Sequence, residues 1–230
     1  MLKDFFSLLF PQVCAACGKA LYKEEQSLCM MCVYKLPKTD FHEEKDNPVE
    51  KVFWGRVQVV AGASYYRFAK GGSVQHLIHE LKYNGQWEVG VTIGNLYGRE
   101  LKNCERFKSV DLIVPVPLHK RKIRVRGYNQ SEAFAQGLSK SMNLETNFNV
   151  LYRDSNSETQ TKKKRFLRWG NVETIFQVRD EITLQGKHIL LVDDVLTTGA
   201  TLEACVLALQ RIPNVKVSVA TIAYVSRSFR

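Results

Sequence analysis

No apolar run in this 230-residue sequence approaches the roughly 20 residues that cross a bilayer, which excludes an ordinary helical membrane span. The N-terminal candidate, residues 5–10, is short, follows Asp4 and is broken by Pro11, whereas a secretory leader carries about 7 to 15 apolar residues. Gln12 and Val13 ahead of Cys14 are a poor lipoprotein processing site. A cytoplasmic protein with a short amphipathic N-terminal helix is therefore expected. The sequence also lacks an internal repeat, which argues against a solenoid, and its one biased segment is a short lysine run.

Acidic residues are in deficit: 23 Asp and Glu against 33 Lys and Arg leave a net charge of +10. The imbalance is local. Lys120, Arg121, Lys122, Arg124 and Arg126 form one cluster, and Lys162, Lys163, Lys164, Arg165 and Arg168 form another. Such concentrations point toward phosphates, of a metabolite or of a nucleic acid, or serve as solvated loops. A 45% hydrophobic content and this length allow one substantial α/β core with a small appendage.

Four of the six cysteines, Cys14, Cys17, Cys29 and Cys32, read C-x2-C twice with eleven residues between the pairs. Two residues between thiolates let both sulfurs reach one tetrahedral ion, and a second pair closes the shell. A structural Zn2+ is the expected occupant; two disulfides or redox chemistry are the alternatives. Gly18 would relieve the turn that wraps the first pair. The expected division is an N-terminal helix and zinc ribbon over 1–38, a polar linker over 39–55, and an α/β domain over 56–230.

Within that domain, "VQVVAGASYYRF" reads as strands. "SVQHLIHELKYNG" reads as a helix with Val74, Leu77, Ile78 and Leu81 at 3.6-residue spacing. A second helix covers 87–101, where Gly90, Gly94 and Gly98 predict close packing against a neighbour. From residue 110 strands alternate with helices, which argues for a parallel sheet. "KHILLVDDV" is the most apolar strand and the expected centre. "TLEACVLALQRI" follows as a helix, with Cys205 in the core, and "KVSVATIAYV" closes the sheet.

The segment "ILLVDDVLTTGATL", residues 189–202, drives a buried strand into two carboxylates and then a turn rich in hydroxyls. Ligands of open α/β sheets sit beyond the carboxyl ends of strands. Asp193 and Asp194 fall there, and Thr197, Thr198, Gly199, Ala200 and Thr201 enter a helix with free amides, an arrangement suited to a phosphate. Carboxylates about one sugar away from a phosphate site describe a ribose 5-phosphate.

Residues 189–201 resemble the signature of type I phosphoribosyltransferases. The resemblance implies a parallel sheet flanked by helices that holds 5-phosphoribosyl 1-pyrophosphate with Mg2+. Asp193 and Asp194 would then take the ribose hydroxyls, partly through Mg2+, and the turn would take the 5′-phosphate. "VPVPLHKRKIRVRGYNQSE", "TQTKKKRFLRWGNV" and the four-cysteine ribbon, in this order, further resemble the competence protein F family. Family patterns are met at Arg126, Gly127, Tyr128, Asn129 and Gln130, and at Gln160, Arg168 and Asn171. Thr174 departs from them. The first basic cluster, as a loop after the strand ending at Pro117, would place Lys120, Arg121, Arg124 and Arg126 over the pyrophosphate.

Two functions are expected to compete. One is an active phosphoribosyltransferase, for which the sequence offers donor-site residues and no acceptor motif. The other is a binding module for incoming single-stranded DNA, working with DNA-uptake or recombination proteins. There Lys162, Lys163, Lys164, Arg165 and Arg168 would contact the strand, with Tyr128 and Trp169 either stacking platforms or packing residues.

Overall fold

The computed structural model describes residues 11–153 and 175–226. The second basic cluster with Gln160, Trp169, Asn171 and Thr174, and the expected N-terminal helix, lie outside them.

Five strands, β1 (Gly62–Phe68), β2 (Leu112–Pro115), β3 (Glu145–Thr146), β6 (His188–Leu196) and β7 (Lys216–Val225), form a sheet in the order β1-β7-β6-β2-β3. Every pairing in it is parallel. β6 is central, and its residues 188–192 are all buried, as befits a strand covered on both faces. β7 is internal: β1 pairs on its far side, so the last strand in sequence does not close the sheet. The strands expected over residues 57–68 reduce to β1, with Val60 N donating to Val217 O at 2.8 Å ahead of it. A small antiparallel pair, β4 (Leu151–Arg153) and β5 (Phe176–Val178), stands apart from this sheet.

The helices are α1 (Met30–Lys35), α2 (Pro48–Lys51), α3 (Ser73–Tyr83), α4 (Trp87–Asn103), α5 (Lys120–Arg126), α6 (Gln130–Met142) and α7 (Ala200–Leu209). α3 buries the four apolar residues its spacing predicts, and α7 buries Leu202, Cys205, Val206 and Leu209. α4 and α6 touch backbone to backbone. A Cβ on Gly94 would stand 2.3 Å from Phe134 O and 2.8 Å from Gly137 Cα, and one on Gly137 would stand 2.2 Å from Val91 O. The glycine spacing in α4 thus marks a helix crossing that no side chain can enter. Among the described residues no helix is long and apolar enough to cross a membrane.

Residues 39–55, polar in sequence, pack onto the sheet rather than trailing as a tether. Phe41, Val49 and Phe53 are buried. Asn47 caps α2, and its amide donates to Phe41 O at 2.9 Å and to Gly62 O at 2.8 Å. Glu50 accepts from Gly62 N at 2.9 Å and pairs with Arg106. Asn47 and Glu50, polar side chains of this stretch, are spent on internal hydrogen bonds, while Glu43, Glu44, Lys45 and Asp46 stay exposed.

Candidate functional site

Asp193 and Asp194 lie near the carboxyl end of β6, which continues through Leu196 before the turn. Asp193 Oδ1 accepts from Ser131 Oγ and from Asp194 N, both at 2.8 Å. Burial, and then the neighbouring charge of Asp194, raise the Asp193 carboxyl from its ordinary range to about 7 against those two hydrogen bonds and Lys82. Asp194 turns the other way: Lys82 Nζ, at the end of α3, stands 2.9 Å from its Oδ2.

The turn behaves as its composition predicts. Gly199 has φ 78°, a conformation glycine adopts without cost, and α7 begins after it with Ala200 N making a long, 3.5 Å contact to Thr198 Oγ1. Asp193, Thr197, Thr198, Gly199, Ala200 and Thr201 line one hollow there. The turn is braced from behind. Arg56 donates to Thr198 O at 2.9 Å, donates to Val52 O at 3.2 Å and pairs with Glu203. A Cβ on Gly199 would meet Val52 Cγ1 at 2.5 Å.

The residues of "RGYNQSE" serve as a lock. Gly127, φ 82°, ends α5. Asn129 caps α6 by accepting from Ser131 N at 3.2 Å and donates to Val116 O at 3.0 Å. Tyr128, a stacking platform or a packing residue by sequence, is half-buried against Trp87 and donates its hydroxyl to Leu81 O. Burial pushes that phenol up to about 12. It is a packing residue.

The first basic cluster is a helix, α5, rather than a loop, and this divides its cations. Lys and Arg are good helix formers, and His119 caps the start by accepting from Arg121 N at 3.1 Å. Lys120, Arg121 and Arg124 share one face and line a basin with the β4–β5 pair. Arg126 points elsewhere, donating to Gln130 Oε1 at 2.7 Å and standing 5.5 Å from the centre of the Tyr83 ring. The four cations therefore do not converge on one ligand. Lys82, Ser131 and Arg56, which the sequence reading did not select, contact the carboxylates and the turn. Only Ser131 had a local signal, the Asn-x-x-Glu capping pattern of Asn129 and Glu132.

At the other end of the chain, the sulfurs of Cys14, Cys17, Cys29 and Cys32 all lie within 4.8 Å of one another. Cys17 Sγ and Cys29 Sγ are 3.8 Å apart, close to the spacing of about 3.8 Å set by tetrahedral zinc–sulfur bonds of about 2.3 Å. Cys29 N donates to Cys14 Sγ at 3.3 Å, and Gly18 turns the first knuckle at φ 71°. Burial opposes ionisation of Cys14, but backbone amides, led by that of Cys29, prevail and lower its thiol to about 7. These cysteines could hold a metal such as zinc. Asp40, His42 and Glu100 also lie within 4.8 Å of one another, but Lys38 Nζ already occupies Glu100 at 2.7 Å.

The phosphoribosyl transferase domain family matches residues 129–228. The DNA utilization protein YhgH of Escherichia coli K12 is 30% identical over 193 residues, 82% of this chain and 80% of that protein. Competence protein F of Haemophilus influenzae is 30% identical over 55% of this chain and 57% of its own. Competence protein ComFC of Bacillus subtilis is 37% identical over 40% of this chain and 35% of its own.

Proposed function

Since this chain belongs to the competence protein F family of phosphoribosyltransferase-like proteins, we propose that its β6 edge binds 5-phosphoribosyl 1-pyrophosphate with Mg2+. One observation carries the reading: Asp193 and the turn 197–201 line a single hollow, with Asp194 beside it. The amides at the start of α7 and the threonine hydroxyls suit the 5′-phosphate, and the carboxylates suit the ribose diol. Mg2+, when bound, would offset the charge of the pyrophosphate. Ser131 orients Asp193, Lys82 neutralises Asp194, and Arg56 braces the turn through Thr198 O. Zn2+ on Cys14, Cys17, Cys29 and Cys32 would be structural, because four protein ligands leave no open position. Thermal denaturation with phosphoribosyl pyrophosphate and Mg2+ tests the pocket: wild type should gain stability and Asp194→Asn should not. No gain in wild type would sink the donor assignment. A phosphoribosyl transfer activity follows only if pyrophosphate is released with an acceptor.

A second reading is supported by the names of the relatives, DNA utilization protein and competence protein F, and by the net charge of +10. On this reading the chain handles single-stranded DNA, in concert with DNA-uptake or recombination proteins. Binding to an oligonucleotide should then weaken steeply with salt. Changing Lys162, Lys163 and Lys164 to Ala should flatten that dependence if the second cluster takes part.

A further inference from the structure

Asp194 already holds a cation of the protein's own. Its ion pair with Lys82 is largely shielded from water on both sides, so solvent screens it weakly. Asp194 is the one acid within ion-pair distance of Lys82 among the described residues. Glu80, on the same turn of α3, is occupied: its Oε2 accepts from Asn84 Nδ2 and Gln86 Nε2, both at 2.8 Å. The helix end that carries Lys82 is fixed as well. The Tyr128 hydroxyl donates to Leu81 O, and the Arg126 guanidinium stands 5.5 Å from the centre of the Tyr83 ring. Ser131 of the same stretch donates to Asp193 Oδ1 at 2.8 Å. Residues 126–131 thus hold both the root of Lys82 and the carboxylate next to its partner. With its backbone pinned, Lys82 can leave Asp194 only by turning its own flexible stem, and its charge stays beside the hollow.

We propose that Lys82 is a tethered counter-ion that makes the β6 hollow admit a divalent cation only together with a pyrophosphate-bearing ligand. The inference deepens the reading of the hollow as a phosphoribosyl pyrophosphate site and rests on it. A divalent ion arriving alone at Asp194 must expel the ammonium and leave it, half-shielded, with no anion to face. An ion arriving on a pyrophosphate brings that anion with it. Lys82 then turns from the carboxylate to a phosphate oxygen, and one charge-assisted hydrogen bond replaces another. A ribose 5-phosphate, whose single phosphate goes to the turn 197–201, brings neither the ion nor a second anion. Lys82 therefore stays on Asp194, and the hollow rejects free metal and favours the pyrophosphorylated sugar through one and the same contact.

The test titrates the full chain with Mn2+ alone, following the free ion by electron paramagnetic resonance, and with phosphoribosyl pyrophosphate at saturating Mg2+, by calorimetry. Lys82→Met should bind Mn2+ about tenfold tighter than wild type and phosphoribosyl pyrophosphate about tenfold more weakly. Lys82→Arg, which keeps the charge on Asp194, should exclude Mn2+ as wild type does. The added Mn2+ site should vanish in Lys82→Met, Asp194→Asn, which separates it from the four cysteines. Opposite signs for the two ligands are the signature. If Lys82→Met weakens both, Lys82 only supports the fold and the proposal is wrong; if it tightens both, Lys82 blocks the site without serving the ligand, and the proposal is equally wrong. Mn2+ bound no tighter, or bound as tightly without Asp194, also overturns it, while phosphoribosyl pyrophosphate binding by wild type leaves the donor reading standing. Failure of wild type to bind that ligand with Mg2+ removes the donor reading and this inference with it.

Discussion

Lys82 Nζ stands 2.9 Å from Asp194 Oδ2, so the second carboxylate of the β6 motif is matched by a cation from a helix in the first half of the chain. Both side chains are largely shielded, at 19% and 14% exposed, and removing one strands the other. Lys82→Met should cost about 2 kcal/mol, less than the roughly 3–5 kcal/mol of a fully buried pair. The double variant Lys82→Met, Asp194→Asn should recover part of that loss. Urea denaturation of the four proteins of the cycle measures the coupling.

The raised carboxyl of Asp193 makes stability depend on pH. Its proton is held in the folded state up to about 7 and lost near the ordinary carboxylate value, about 3.9, when unfolded. The folded state therefore binds more protons between these values, and the contribution of this group is lost as pH rises through them. Wild type should lose stability relative to Asp193→Asn between about pH 4 and pH 7. Melting temperatures of the pair at several pH values would refute this if their difference stayed constant.

Gly94→Ala should be among the most damaging single methyl additions, because the new carbon would meet the backbone of Phe134 and Gly137 rather than a movable side chain. A loss of about 1–3 kcal/mol is expected, with α4 and α6 forced apart. Chemical denaturation gives the number.

About one zinc per chain should be found by elemental analysis, and Cys14→Ser, Cys17→Ser should lose it. A strong chelator should lower the melting temperature of wild type more than that of this variant. Metal-free wild type with unchanged stability would count against a structural ion.

Arg56→Ala should free the turn without emptying the hollow. Weakening of phosphoribosyl pyrophosphate by about tenfold, or about 1.4 kcal/mol, is the expected result, measured by calorimetry. Arg56→Lys should restore the charge toward Glu203 but only part of the affinity, since an ammonium lacks the guanidinium fork.

Much of this architecture is legible from local pattern. The unbroken run from Ile189 to Val192 reveals the central strand, four-residue glycine spacing reveals the α4–α6 crossing, and paired C-x2-C motifs reveal a four-sulfur cluster. What escapes is non-local or compositionally disguised. Nothing around Lys82 or Arg56 announces Asp194 or Thr198. Strand order is not written in any one strand, so β7 looks terminal although β1 lies outside it. The basic stretch 120–126 looks like a loop because its residues are charged, yet those residues favour a helix, which turns Arg126 away from its neighbours. Asn47 and Glu50 read as solvated and are buried because backbone groups satisfy them.

The contacts of Arg56 and Val52 with the turn at Thr198 and Gly199 set a lower limit on what can be excised. A fragment starting at Asn129 would keep both carboxylates and every threonine of the motif while losing the wall behind them, along with Lys82. The portable unit of this pocket is therefore larger than the region by which it is recognised.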